Sequence, residues 1–125
     1  MIPPTKRPRQ ILIVEDEALI VMHLKEMLEN GGYEVPEFVS SGEEAIAYLE
    51  HAPLPDLILM DIRLDGKIDG IETARRIRQQ FTIPIIFISG NLDQELIKQA
   101  GIPCDMLTKP FSPESLMKVI TRVLR

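Results

Sequence analysis

Four short polar stretches hold the residues with the most chemical potential: Glu15-Asp16-Glu17, Asp61, Ser89-Gly90-Asn91 and Thr108-Lys109-Pro110. Each follows directly on an apolar run. Carboxylates crowded at one place repel each other and hold their protons unless a cation neutralises them. Glu15, Asp16 and Asp61 together would therefore suit a hard divalent ion, Mg²⁺ or Mn²⁺, which takes a couple of carboxylates, keeps several waters and accepts phosphate oxygens as further ligands. Lys109 adds a mobile point charge and Ser89 a small hydroxyl, both suited to phosphoryl oxygens. Phosphoryl transfer asks mainly for positioning and charge neutralisation, so a carboxylate beside such an ion and a lysine can serve as nucleophile. Taken singly, each residue has a plainer reading: Asp16 as a helix N-cap, Ser89 as a strand end, Lys109 as an exposed charge before a proline turn. The chemistry exists only if the fold brings them together.

The elements that would do so are legible. Ile11-Leu12-Ile13-Val14, Leu57-Ile58-Leu59-Met60 and Ile83 to Ile88, interrupted only by Pro84, suit strands buried on both faces. Val35 to Val39 contains Pro36, which removes a ladder donor, and Glu37, so it is expected at a sheet edge. Met106-Leu107-Thr108 makes the other edge. Between them, Ile20, Leu24, Met27 and Leu28 share one face of a helix that Gly31 or Gly32 ends. Ser41 with Glu44, and Asp69 with Glu72, have capping-box spacing and mark two more helix starts. A weaker helix runs from about Leu92 to Ala100, with Leu96, Ile97 and Ala100 inward and Gly101 as its stop. The last helix begins at Ser112 with Pro113 in its first turn, and Leu116, Val119, Ile120, Val123 and Leu124 line one face.

Strands alternating with helices predict an α/β fold: a doubly wound (βα)5 unit with a five-stranded parallel sheet in the order 2-1-3-4-5, flavodoxin-like, in three layers. In that winding the carboxyl ends of all strands share one rim, and ligands bind there. Polar chemistry should collect where the strands end, as it does on four of them.

With these residues in place, the chain resembles the receiver domain of bacterial two-component response regulators from about Ile11 to Leu124. The resemblance rests on Ile11 to Glu17 (ILIVEDE), Leu57 to Leu64 (LILMDIRL), Asp69-Gly70-Ile71-Glu72, Phe87-Ile88-Ser89-Gly90 and Leu107-Thr108-Lys109-Pro110-Phe111. It implies Asp61 as phosphoacceptor, Mg²⁺ held by Asp16, Asp61 and the backbone carbonyl of Arg63, and Glu15 acting through metal-bound water. Ser89 and Lys109 would hold phosphoryl oxygens, and the Lys109-Pro110 peptide would be cis. Such a domain is a signalling switch rather than an enzyme with outside substrates; it catalyses only its own phosphorylation and dephosphorylation. The implied partners are a sensor histidine kinase or histidine phosphotransfer protein upstream, and an output domain or protein downstream at the face of the fourth helix, fifth strand and fifth helix. A homodimer stays open. Phosphorylation in this family draws the hydroxyl at Ser89 inward, and an aromatic three residues before the lysine follows it. Met106 stands there instead, so weaker or differently coupled signalling is expected through that face. Arg63 and Asn91 occupy positions that tune attack of water on the phosphoaspartate.

Asp61 to Glu72 (DIRLDGKIDGIE) nearly meets the EF-hand pattern for Ca²⁺, but Arg63 puts a cation where a ligand oxygen belongs, and Pro53, Pro55 and an apolar run replace the entering helix. A flavin module on the same winding would find Glu15-Asp16-Glu17 repelling its phosphate. Cys104 has no recognisable histidine partner, and His23 and His51 look like ordinary helix residues. With 125 residues, 45% of them hydrophobic, one domain is expected over residues 10–125, after a flexible basic arm at residues 1–9. The net charge of -5 speaks against a nucleic-acid or anionic-membrane surface. No run is long and apolar enough for a membrane span or signal peptide, and a cytoplasmic protein is the default expectation.

Overall fold

The computed structural model describes residues 7–90, 93–101 and 105–124. Asn91, Cys104 and most of the basic arm lie outside them. Five strands and five helices alternate: β1 (Ile11–Val14), α1 (Ala18–Asn30), β2 (Phe38–Val39), α2 (Gly42–His51), β3 (Leu57–Asp61), α3 (Gly70–Gln80), β4 (Ile85–Ser89), α4 (Gln94–Ala100), β5 (Asp105–Thr108) and α5 (Pro113–Val123). All pairings are parallel, in the order β2-β1-β3-β4-β5. Every residue of β1, β3 and β4 is buried, which is why these strands read as unbroken apolar runs.

Alternate side chains of each strand feed two cores. Leu12, Val14, Ile58, Met60, Ile85 and Phe87 pack under Leu49 of α2, Ile71, Ala74 and Ile77 of α3, and Ile97 of α4. Ile11, Ile13, Leu57, Leu59, Ile86 and Ile88 pack under Val21, Leu24 and Leu28 of α1 and Leu116 and Ile120 of α5. The sheet is therefore a central layer, with three helices on one face and two on the other.

Three expectations need correction. The edge strand is only Phe38–Val39 rather than Val35 to Val39. Pro36 has no N–H to give, and the Phe38 N–H turns to Glu37 Oε1 at 3.0 Å instead of to a ladder. β4 begins at Ile85, after Pro84 rather than across it; the Pro84 carbonyl still accepts from the Ile58 N–H at 3.0 Å. In α4, Ile97 is buried and Ala100 half-buried, but Leu96 is 45% exposed. A helix of two turns carries too few apolar residues to fix its rotation from sequence.

Helix starts fall as expected, with different wiring. Ser41 accepts the Glu44 N–H at 3.1 Å and Asp69 accepts the Glu72 N–H at 2.8 Å. The Glu44 carboxylate meets the hydroxyls of Ser40 and Ser41, and Glu72 pairs with Arg75 and Arg76. The reciprocal box forms at α5, between Ser112 and Ser115. Gly101 ends α4 in the left-handed conformation, φ 66°, which a glycine adopts without a Cβ penalty.

Candidate functional site

Register fixes the rim. Val14 lies beside Met60 and Val39, Asp61 beside Ile88, and Ser89 beside Thr108. The next residue of each outer pair stays bound to its neighbour: the Glu15 N–H donates to the Val39 carbonyl at 2.9 Å, and the Lys109 N–H to the Ser89 carbonyl at 2.8 Å. Glu15, Asp61, Ser89 and Lys109 thus meet at the carboxyl edge of the sheet, although 94 positions separate the first from the last.

Ligand oxygens of Glu15, Asp16 and Asp61 all lie within 4.8 Å of one another, and this is the metal-compatible group found among the described residues. Lys109 Nζ stands 3.6 Å from Asp61 Oδ2 and 4.0 Å from Glu15 Oε2. Asp61 Oδ1 accepts the Arg63 N–H at 3.2 Å, and Glu15 Oε1 the Glu17 N–H at 3.2 Å. Asp16 does not cap α1: the N-cap is Glu17, without a side-chain bond. A groove of about 200 Å³, lined by Glu15, Asp16, Val39, Ser40 and Glu44 among others, opens beside the carboxylates. Lys109-Pro110 is cis.

Among the described residues, two buried side-chain polar atoms lack a hydrogen-bond partner: Glu15 Oε2 and Ser89 Oγ. Such orphans are rare in folded proteins and point to a group the protein alone does not supply. Burial above all, then the neighbouring Asp61 carboxylate, pushes the Glu15 carboxyl up to about 8; the Glu17 N–H and Lys109 pull the other way. A divalent cation fits this donor set. It would relieve the repulsion and give Glu15 Oε2 a partner, directly or through bound water.

Gly70 and Asp93 do structural duty that sequence reading missed. A Cβ on Gly70 would run into the Asp61 carbonyl oxygen, so glycine lets the start of α3 close on the end of β3; the Gly70 N–H donates to the Ile62 carbonyl at 2.8 Å. Asp93 is buried and takes Arg63 Nε at 2.9 Å, so Arg63 is no free loop charge. Asp93 was given no role from sequence, and nothing local marks its burial. Met106 is half-buried against the core beneath α2, α3 and α4.

The EF-hand-like loop does not gather its own carboxylates. Asp61 sits in the rim pocket, Asp69 caps α3, and Glu72 holds two arginines. No described helix is long and apolar enough to cross a membrane.

Residues 11–121 match the family model of the response regulator receiver domain. Transcriptional regulatory protein PdtaR of Mycobacterium tuberculosis (strain ATCC 25618 / H37Rv) is 38% identical over 115 residues, covering 90% of this chain and 55% of that protein. Alkaline phosphatase synthesis transcriptional regulatory protein PhoP of Bacillus subtilis (strain 168) is 40% identical over 121 residues, 94% of this chain and 49% of that one. The chain spans about half the length of these curated relatives. Among solved structures, a response regulator receiver protein from Sinorhizobium medicae WSM419 superposes with a TM-score of 0.83 at 31% identity, with 94% of each chain covered. Strand order, rim chemistry and sequence agree, and the chain belongs to the response regulator receiver domains, the signalling domains of two-component systems.

Proposed function

We propose that Asp61 accepts a phosphoryl group from a sensor histidine kinase or histidine phosphotransfer protein in a Mg²⁺-dependent reaction. An Asp61 carboxylate oxygen attacks phosphorus as the bond to the donor imidazole nitrogen breaks; the nitrogen keeps the electron pair and the aspartate becomes an acyl phosphate. The observation that carries this reading is the juxtaposition of Asp61 with Lys109 Nζ at 3.6 Å, next to the orphaned Glu15 Oε2 and Ser89 Oγ. Asp16, Asp61, the Arg63 carbonyl and, through water, Glu15 would hold Mg²⁺ (or Mn²⁺), which when bound neutralises carboxylate and phosphoryl charge. Lys109 and Ser89 hold the phosphoryl oxygens and keep them oriented. Water later attacks the acyl phosphate in the same pocket, resetting the switch.

The receiver unit in this reading runs over residues 10–125 and works in the cytoplasm. The naming of its relatives as transcriptional regulators supports an output at some downstream domain or protein, reached through the α4, β5 and α5 face. Incubation with Mg²⁺ and a small phosphodonor, followed by intact mass, tests the proposal. Wild type is expected to gain one phosphoryl mass and Asp61→Asn none. Equal labelling of the two, or no labelling of wild type under conditions that label other receivers, would sink it.

A further inference from the structure

Asp93 is a buried carboxylate for which the phosphoryl pocket has no use. Its side chain is 5% exposed, against 68% for its partner Arg63. Asp93 Oδ1 accepts from Arg63 Nε at 2.9 Å and Oδ2 from the Gly90 N–H at 3.1 Å, while the Asp93 N–H donates back to the Gly90 carbonyl at 3.1 Å. Gly90 directly follows Ser89, whose buried hydroxyl has no partner. Arg63 grips the other side too, since its backbone N–H donates to Asp61 Oδ1. One residue therefore touches the phosphoacceptor with its main chain and, with its side chain, the N-cap residue of α4.

A phosphoryl group on Asp61 disturbs this arrangement. It brings a charge of about −1.5 to −2 and three strong acceptor oxygens. The Arg63 guanidinium is largely in solvent and rooted beside Asp61, so turning toward the new charge requires no repacking. Once it turns, Asp93 is left as a buried carboxylate without its counter-ion, which favours its departure from the site. Its departure also frees the Gly90 N–H. We propose that the Arg63–Asp93 pair is a latch that holds the Ser89–Gly90 end of β4 in the resting arrangement, and that phosphorylation opens it by drawing Arg63 away. The inference rests on Asp61 being the phosphoacceptor. It gives the signal an exit at the start of α4 that does not depend on an aromatic at position 106.

Beryllofluoride with Mg²⁺ serves as the phosphoryl mimic, followed by ¹⁵N NMR of the Arg63 Nε–H and the Gly90 amide. Both resonances are expected to shift in wild type as the mimic binds. Asp93→Asn removes the charge that retains Arg63 while leaving an oxygen for the Gly90 N–H. It should tighten mimic binding about tenfold, the size expected when one charge-assisted bond no longer opposes the change. In an Arg63→Gln background the same substitution should change binding by about twofold or less, because the bond is already absent. A residue that merely shaped the loop would act equally in both backgrounds, and that result overturns the latch. Should Asp93→Asn fail to fold, the wild-type spectra decide: Asp61-dependent binding with an unmoved Arg63 Nε–H defeats the latch alone. Absence of Asp61-dependent binding defeats the phosphoacceptor reading and the latch with it.

Discussion

The raised Glu15 carboxyl predicts that binding of a divalent cation, as proposed, is coupled to loss of a proton. With its pKa near 8 in the metal-free pocket, Glu15 carries its proton at neutral pH, whereas a cation at the same carboxylates requires it ionised. Binding should therefore release about 0.9 of a proton at pH 7 and about 0.1 at pH 9, and Mg²⁺ affinity should rise about tenfold between those values. Stability of the metal-free protein moves the other way. The folded-state pKa lies above the unfolded value of 4.5, so this group's contribution is fully present below pH 4.5 and is lost as pH rises through 8. Mg²⁺ is expected to reverse that loss. Isothermal titration in two buffers of different ionisation enthalpy counts the protons, and thermal melts with Mg²⁺ or a chelator between pH 6 and 9 follow the stability. Glu15→Gln should bind more weakly but with a flattened pH profile. Release of fewer than about 0.3 protons at pH 7, or an unchanged pH slope in Glu15→Gln, would refute the reasoning.

Lys109→Ala removes the cation 3.6 Å from Asp61, and the rate of labelling by a small phosphodonor should fall on the order of 100-fold, the typical effect of losing one charge-stabilising donor. A change under about threefold would remove Lys109 from the phosphoryl contact. Gly70→Ala drives a Cβ into the Asp61 carbonyl, so denaturant unfolding should show a loss of about 1–3 kcal/mol, with labelling impaired as β3 shifts. Far from the pocket, Ser112→Ala deletes the oxygen that accepts the Ser115 N–H at 3.1 Å; it should destabilise the domain by about 1 kcal/mol and leave labelling of Asp61 unchanged.

The pocket could be read from sequence because parallel winding converts a list of strand ends into one place. Glu15, Asp61, Ser89 and Lys109 each follow an apolar run, and the ladder then aligns them without further information. The central strands were legible for the same reason, being buried on both faces. Where one face is partly open the pattern weakens, as in β5, whose burial alternates irregularly, and in β2, shortened by Pro36. Gly70 was visible only as part of a helix-start motif; its requirement comes from the Asp61 carbonyl, a neighbour through space. Asp93 was harder still. Its burial depends on Arg63, 30 positions earlier, and no local composition marks such a pair.

That contrast bears on how the domain can act as a switch. The acidic half of the pocket stands on β1 and β3, interior strands whose every residue is buried and whose backbone is paired on both sides. Moving Asp61 would disturb both cores. The cationic half is differently mounted: Lys109 follows an edge strand and is 31% exposed in its side chain, and Arg63 lies mostly in solvent. On the proposed reading, new negative charge on Asp61 is met by movement of the Lys109 and Arg63 side chains toward it rather than by movement of Asp61. In that reading a fixed acceptor, with one counter-charge after an edge strand and another on a loop, lets one covalent event at the rim reach β5 and, through Asp93, the start of α4.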